Sequence, residues 1–254
     1  MNTLTVMTYN VGNGRARPDR LVQILRASGA DLVGLQELCS DQAEALAAQL
    51  SDQYPHQSLY PDGFAGKALL SRFPLLEAGQ IHLVPGRPDL IATVDIAGSL
   101  LQIIIAHPPP PVLGFVGLQF NPLTRLQLET LAHLAVRRPP AILLADLNLT
   151  SYQREYTRLR TAGLRDAYQE VGKGCGNTLP RRIGPWKRFL RLNRLLSWLP
   201  LFPLLRVDYI LYTGQLAATE SWVGEDAGSD HLPVLARLSI AETPQTEITA
   251  SGGA

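Results

Sequence analysis

Polar side chains follow four apolar segments of the chain, at the point where each segment ends. Asn10 follows Leu4-Thr5-Val6-Met7-Thr8-Tyr9, Glu37 follows a second segment, His107 a third, and Asp146 and Asn148 a fourth. If these segments are strands, the scaffold presents the polar residues at the rim of a sheet. Carboxylates, amides and imidazoles at such a rim are the material of a hydrolytic or metal site.

Each of these residues also has an ordinary structural explanation. Asn10 could occupy a turn, Glu37 could lie on the surface, Asp146 could begin a turn and Asn148 could cap a helix. The joint pattern favours chemistry, because two histidines, four acidic residues and two asparagines all stand at strand ends. The set is completed by Asp208, Asp230 and His231.

Five motifs follow one another along the chain: Thr8-Tyr9-Asn10, Leu35-Gln36-Glu37, Ala145-Asp146-Leu147-Asn148, Val207-Asp208-Tyr209-Ile210 and Ser229-Asp230-His231-Leu232-Pro233. In their order and approximate spacing the chain resembles the endonuclease/exonuclease/phosphatase superfamily from Thr3 to about Ser239. Taken singly, only the Ser-Asp-His motif is fairly specific, but five motifs in register make the resemblance strong. Ser71-Arg72-Phe73-Pro74 looks like the family's segment after a central strand.

The resemblance implies a divalent-metal-dependent hydrolase that cleaves phosphate esters. By analogy, Glu37 would be the principal metal carboxylate, with Asn10 and Asp230 completing or supporting the metal site. Hard oxygen ligands favour Mg²⁺, with Mn²⁺ as an expected substitute.

The same resemblance implies catalytic roles for the remaining residues. Asp208 would fix the tautomer of His231, which would serve as general base or as a phosphate contact. Asp146 is the competing candidate for activating the attacking water. Asn148 and His107 would hold the phosphoryl oxygens, and protonation of the leaving group is a further candidate role for His107.

The chain departs from the family pattern at two places. Ala145-Asp146-Leu147-Asn148 stands where the family usually has Gly-Asp-Phe-Asn, although both catalytic-type residues remain. The segment at about 181–206 is unusually basic and apolar for the family. This insert leaves the substrate open.

The elements that must position these residues are many short strands with a few helices between them. Direct succession of strands predicts a sheet-on-sheet sandwich rather than a doubly wound parallel sheet. The resemblance implies a DNase I-like α/β (α+β) fold, a four-layered sandwich of two mostly antiparallel sheets flanked by helices. Helices are predicted at Pro18 to Ala27, Asp41 (as N-cap) to Leu50, Pro122 to Val136 and Ser151 to Thr161.

Composition indicates one domain at 1–240, followed by a disordered tail at 241–254. The 254 residues are 46% hydrophobic, and no linker or repeat divides them. The amino terminus does not resemble a secretory signal and no apolar run is long enough to span a bilayer, so a cytoplasmic protein is expected. The chain gives no indication of an obligate protein partner. His56, His82 and His133 match no motif and are interpreted as surface or packing residues.

Charge and apolar residues concentrated in one segment bear on the substrate. Lys173 to Arg206 holds eight of the 23 basic residues and no acidic residue. Within it, Trp186–Leu199 has a basic face opposite aromatic and leucine side chains. This pattern suits peripheral contact with an anionic membrane or a lid over a lipid-like substrate, and a helix packed on the domain's own core is the alternative.

Two other functions remain open on the sequence. A DNA or RNA nuclease would use the basic residues of the insert but leaves its aliphatic residues unexplained, since base stacking needs aromatic side chains. A catalytically silent binding module is disfavoured because all catalytic-type positions are retained.

Overall fold

Two six-stranded β-sheets pack face to face in the computed structural model, which describes residues 3–114, 117–138, 140–181 and 202–240. The strands are β1 (Thr3–Asn10), β2 (Leu32–Gln36), β3 (His56–Tyr60), β4 (Lys67–Ser71), β5 (Leu75–Ile81), β6 (Asp89–Ile96), β7 (Ser99–Ala106), β8 (Val112–Gly114), β9 (Gly117–Gln119), β10 (Ala141–Asp146), β11 (Arg165–Asp166), β12 (Asp208–Tyr212), β13 (Leu216–Val223) and β14 (Val234–Ile240). The helices are α1 (Pro18–Ser28), α2 (Ser40–Gln49), α3 (Pro122–Arg137), α4 (Arg154–Thr161) and α5 (Ala167–Val171), with a 3₁₀ turn at Gly63–Ala65.

The strand orders are β13-β14-β1-β2-β4-β3 in the first sheet and β11-β12-β10-β7-β6-β5 in the second. Each sheet contains one parallel pairing, β1 with β2 and β7 with β10, and its other pairings are antiparallel. β8 and β9 form a separate hairpin. The predicted sandwich of two mostly antiparallel sheets is confirmed.

Three apolar layers hold the sandwich together. Between the sheets, side chains such as Leu32 and Leu69 of the first meet Ile103 and Leu144 of the second. α1 and α2 cover the outer face of the first sheet, and α3 and α4 cover that of the second. This order of helix, sheet, sheet and helix gives four layers.

The two parallel pairings bring the predicted site residues to one end of the sandwich. Asn10 ends β1 and Glu37 follows β2, while His107 follows β7 and Asp146 ends β10. β12 runs antiparallel to β10, so its first residue, Asp208, lies opposite Asp146 at the same end of the sandwich. The Ser229-Asp230-His231 motif directly precedes β14, which runs antiparallel to β1.

The four predicted helices lie within three residues of their expected limits, and the differences between predicted and observed elements have local causes. β3 was missed because its sequence, His-Gln-Ser-Leu-Tyr, is half-buried throughout and shows no alternation. α2 begins at Ser40 with Cys39 as N-cap, so the prediction of Asp41 as the cap is wrong. The Gln42 side chain accepts from the Cys39 backbone N–H at 3.0 Å, which fixes the earlier start.

Two regions for which predictions were made from the sequence lie outside the described residues. They are the tail at 241–254 and most of the basic and apolar insert, including all of Trp186–Leu199. Among the described residues, no helix combines the length and apolar character that a bilayer span requires.

Close approach of the two sheets depends on Gly34 in the middle of β2. A Cβ atom there would lie 2.9–3.1 Å from side-chain atoms of Leu144 and Ile105. We expect Gly34→Ala to lower the free energy of unfolding by about 1–3 kcal/mol through overpacking, measured by urea denaturation. Gly79→Ala is the matched control, because a Cβ at that strand position meets nothing within 4 Å. Equal effects of the two substitutions would contradict this account of the sheet interface.

Candidate active site

Two carboxylates lie at the centre of the site and share one amide. Asn10 donates from Nδ2 to Glu37 Oε1 at 3.2 Å and to Asp146 Oδ2 at 2.8 Å. Its Oδ1 accepts from the backbone N–H of Gly12 at 2.9 Å. The amide therefore holds the two acids together, and its oxygen is directed toward the backbone of the loop after β1.

The backbone at Glu37 holds its side chain at the rim. Its φ is +59°, in the left-handed region that side chains rarely adopt, and Asn148 has a similar φ of +52°. Non-glycine residues in this conformation cost free energy and cluster at functional sites. Burial is the main cause that raises the pKa of the Glu37 carboxyl, and the charges of Asp146 and Asp230 act in the same direction.

His107 lies against both carboxylates. Its Nε2 is 3.4 Å from Asp146 Oδ2 and 3.6 Å from Glu37 Oε1. Its Nδ1 is 3.1 Å from Arg87 Nη1 and 3.3 Å from the carbonyl oxygen of Phe64. Burial is the main cause that lowers the pKa of His107 to about 4. The carboxylate of Asp146 acts in the opposite direction, but the nearby cationic groups offset it.

His231 and Asp208 form a second buried pair beside Asp146. The distance from His231 Nδ1 to Asp208 Oδ2 is 2.9 Å, and His231 Nε2 lies 3.7 Å from Asp146 Oδ2. Burial opposes a charge on His231, but the carboxylates of Asp208, Asp146 and Asp230 outweigh it and raise its pKa to about 10. The two histidines of the site are therefore tuned in opposite directions, which is a common basis for separate proton roles.

Ser229 ties the last motif to the first strand. Its hydroxyl donates to the Asn10 carbonyl oxygen at 2.7 Å and accepts from the His231 backbone N–H at 3.1 Å. Asp230 then projects toward the loop after β1, where it forms an ion pair with Arg15. The Asp230 side chain is partly exposed, so it lies at the mouth of the site.

Asn148 braces the loop that follows β10. Its side chain donates to the Pro108 carbonyl oxygen at 2.9 Å, and its backbone N–H donates to Asp146 Oδ1 at 3.0 Å. It does not cap α4, whose N-cap is Gln153. Asn148 thus links the ends of the two parallel strands that carry His107 and Asp146.

All eight predicted site residues lie at one end of the sandwich, joined by the contacts above. Four further residues around the site were not predicted from the sequence: Arg15, Arg87, Lys67 and Asp89. Arg15 and Arg87 lie in loops without a distinctive motif. Lys67 could have been predicted, because it begins a fully buried strand and a lysine is rarely buried without a partner. His82 and His133 are exposed and His56 is half-buried.

Two buried charged residues, Lys67 and Asp89, lie near His107. Lys67 has no exposed surface and donates from Nζ to the Ala65 carbonyl oxygen at 2.9 Å. Asp89 is equally buried and accepts from Gln127 Nε2 at 2.8 Å. Burial raises the pKa of Asp89 to about 6 and lowers that of Lys67 to about 8.

The shifted pKa of Lys67 predicts a pH dependence of stability. Between pH 8 and its ordinary value of 10.5, the unfolded chain binds a proton that the folded protein has released. The free energy of unfolding should therefore rise with pH in this window, by at most about 1.4 kcal/mol per pH unit from this residue. Below the window both states carry the proton, so the contribution is constant.

Lys67→Met should remove that rise, which urea denaturation at about pH 7.5 and about pH 9.5 in a chelating buffer will test. Lys173→Met is the control, because the Lys173 side chain is 73% exposed. If the Lys67→Met variant keeps the wild-type pH dependence, Lys67 retains an ordinary pKa in the folded protein.

Two arrangements within the site offer oxygen ligands to a cation. Burial and the charges of Asp146 and Asp230 disfavour the charged form of the Glu37 carboxylate. A divalent ion bound there would offset this unfavourable negative charge. Asp146, Asp208 and His231 also present potential ligand atoms within 4.8 Å of one another. This buried cluster could bind a metal, although one of its distances is the 2.9 Å hydrogen bond between Asp208 and His231.

Comparison with known proteins gives one family match and several structural ones. The model of the Endonuclease/Exonuclease/phosphatase family matches residues 7–231. A search of curated proteins finds no match.

Among solved structures, an endonuclease/exonuclease/phosphatase from Beutenbergia cavernae is 22% identical, with a TM-score of 0.68 over 95% of this chain and 72% of that one. D. rerio TDP2, complexed with single-strand DNA product, is 19% identical, with a TM-score of 0.70 over 94% of this chain and 100% of that one. The Bacteroides thetaiotaomicron mannosyl-6-phosphatase Bt3783 is 18% identical, with a TM-score of 0.67 over 93% and 100%. At these identities the likeness establishes a shared fold.

Proposed function

The chain belongs to the endonuclease/exonuclease/phosphatase family, whose members are phosphoester hydrolases, and we propose that it hydrolyses phosphate esters with the help of a divalent cation. The observation that carries this proposal is the pair of buried imidazoles whose Nε2 atoms lie 3.4 and 3.7 Å from Asp146 Oδ2, with one imidazole also bound to Asp208. Burial lowers the pKa of His107 and the nearby carboxylates raise that of His231, so the site favours one neutral and one charged imidazole. Hydrolysis of a phosphoester needs both positive charge and hydrogen-bond donors around the phosphoryl oxygens.

We assign the cation to Glu37 and Asp230, with Mg²⁺ as the metal and Mn²⁺ as its substitute. Asn10 supports this site by holding Glu37, because its Oδ1 is used by Gly12 N–H. Occupancy requires Asp230 to exchange its ion pair with Arg15 for the cation. When bound, the cation would neutralise negative charge on the reacting phosphoryl group.

The alternative metal site at Asp146, Asp208 and His231 is less favourable. Three carboxylates raise the pKa of His231, and a protonated imidazole is not a ligand. Asp208 instead keeps the His231 proton on Nδ1 and orients the ring toward Asp146.

In the proposed reaction, water attacks the phosphorus in line with the leaving oxygen. Asp146 orients this water and accepts its proton, and its carboxylate is held in place by the Asn10 side chain and the Asn148 backbone N–H. His231 contributes positive charge to a phosphoryl oxygen. Asn148 fixes the loop after β10 to the segment after β7 through its hydrogen bond to the Pro108 carbonyl oxygen.

The substrate class we favour is a lipid-like or membrane-associated phosphoester. Phe202 and Leu204, which follow Trp186–Leu199 within the basic and apolar insert, are 92% and 73% exposed. Their chain segment is tied to the site, because Leu204 N–H donates to Leu179 and the Arg181 N–H donates to the Asp230 carbonyl oxygen. Exposed apolar groups beside basic residues suit an anionic interface.

A nucleic acid is the second candidate substrate, supported by Arg15 and Arg181 at the mouth of the site. A Mg²⁺ assay run in parallel on supercoiled plasmid, on phospholipid vesicles and on bis(p-nitrophenyl) phosphate separates the two. Strong plasmid nicking that His231→Ala abolishes would contradict the lipid assignment. Lack of metal-dependent turnover on every substrate would contradict the enzymatic proposal itself.

A further inference from the structure

Arg87 contacts the ring nitrogen of His107 that faces away from the carboxylates. Arg87 lies in the loop between β5 and β6, and its Nη1 is 3.1 Å from His107 Nδ1. The same Nη1 is 3.1 Å from the carbonyl oxygen of Phe64. One guanidinium nitrogen therefore faces two potential acceptors, and it carries two protons to give them.

Hydrogen-bond chemistry fixes the direction of the contact between Arg87 and His107. A guanidinium group has donors only and does not lose its proton in proteins. Because Arg87 can only donate, Nδ1 of His107 must accept, and the ring proton lies on Nε2. That proton is then directed to Asp146 Oδ2 and Glu37 Oε1, at 3.4 and 3.6 Å.

In the other protonation states of His107, two hydrogen-bond donors, two acceptors or two cations face each other. A proton on Nδ1 could reach the Phe64 carbonyl oxygen at 3.3 Å, but it would also point toward the Arg87 donor. In the neutral Nδ1–H tautomer, the Nε2 lone pair would in addition face two carboxylate oxygens. The doubly protonated ring avoids the second conflict but places a buried cation against the cationic Arg87.

We propose that Arg87 is a positioning residue that holds His107 in its neutral Nε2–H tautomer, so that His107 donates a hydrogen bond to a phosphoryl oxygen and does not protonate the leaving group. This inference rests on the proposed function for its chemical meaning. In the reaction, the hydroxyl of water joins phosphorus, the bond from phosphorus to the leaving oxygen breaks, and the leaving oxygen takes its proton from solvent. His107 keeps its own proton throughout.

The tautomer is measurable on the metal-free protein by nitrogen-15 NMR of the histidine side chains, with His107→Gln used to assign the His107 signals. We expect an unprotonated Nδ1 and a protonated Nε2 in the wild type and in Arg87→Lys, which retains a donor. Arg87→Glu places an acceptor against Nδ1 and should put a proton on that nitrogen, giving the doubly protonated ring because Nε2 still faces two carboxylates. A protonated Nδ1 in the wild type would overturn the proposal, and this holds even if Arg87→Glu fails to fold.

The role of His107 is tested by its dependence on the leaving group. A general acid contributes about 10²–10⁴-fold with poor leaving groups and little with good ones. For a series of methyl aryl phosphodiesters with leaving phenols of increasing pKa, we expect His107→Gln to reduce kcat by the same factor throughout, within about threefold. A defect that grows by more than about tenfold along the series would show that His107 protonates the leaving group.

The two experiments separate failure of this inference from failure of the proposed function. If no phosphodiester is hydrolysed, the enzymatic proposal fails while the NMR result still decides the tautomer. If hydrolysis occurs but Nδ1 carries the proton, the enzymatic proposal stands and the role of Arg87 is refuted.

Discussion

His231→Ala is expected to lower kcat/KM for phosphoester hydrolysis by about 10³–10⁴-fold, the range of a positioned catalytic imidazole held by a carboxylate. His231 is held by Asp208 at 2.9 Å and is one of two imidazoles beside Asp146. Its removal deletes the positive charge that three carboxylates maintain in the site. The ratio of variant to wild-type activity, measured at saturating cation, gives the effect directly.

The matched control for this prediction is His133→Ala, because His133 is an exposed histidine on α3. We expect this variant to keep wild-type activity, and both variants to keep the wild-type circular dichroism spectrum. A defect smaller than about tenfold for His231→Ala would remove His231 from the catalytic groups.

Asp208 and His231 should act as one unit. Asp208→Asn preserves the size of the side chain but can present a donor to Nδ1, so it is expected to lower kcat by about 10²–10⁴-fold. In the His231→Ala background the same substitution should cost little more, because groups that act together are not additive. Independent losses in the double variant would mean that Asp208 acts on the substrate by another route.

The sequence predicted the architecture well because the signals for it are local. The apolar segments that end at Asn10, Glu37, His107 and Asp146 are strands, as their composition indicates. Once two parallel pairs occupy the centres of the two sheets, their ends meet without further information. β3 escaped because a half-buried polar strand owes its pairing to β4 rather than to its own pattern.

The parts of the site that the sequence did not predict depend on contacts between distant segments. Arg87 reaches His107 across 20 residues from an irregular loop, and no spacing rule anticipates the contact. The direction of the Asn10 amide is likewise set by Gly12 N–H, which decides that nitrogen rather than oxygen faces the carboxylates. The substrate depends on the insert that includes Trp186–Leu199, outside the described residues, so the membrane contact proposed for it stays a prediction.

Glu37→Gln should separate activity from stability, since the two are expected to change in opposite directions. The loss of activity should be on the order of 10³-fold, equivalent to about 4 kcal/mol of transition-state stabilisation by the cation. Without metal, however, the variant should melt above the wild type, and in a domain of this size each kcal/mol gained corresponds to a rise of about 2–4 °C. The reason is that Glu37 holds a carboxylate that burial, Asp146 and Asp230 all disfavour.

The response to Mg²⁺ supplies the decisive comparison. At a cation concentration about 100 times Kd, binding stabilises the wild type by about 2.7 kcal/mol, and the Glu37→Gln variant should show little of this shift. Glu44→Gln is the control, because Glu44 is exposed on α2, and it should melt and respond as the wild type does. A full Mg²⁺ response in Glu37→Gln, lost instead in Asp208→Asn, would move the cation to the cluster of Asp146, Asp208 and His231. In that case His231 would have to be neutral when the ion binds, and the charged imidazole assigned to the phosphoryl oxygens would have to be replaced by the cation itself.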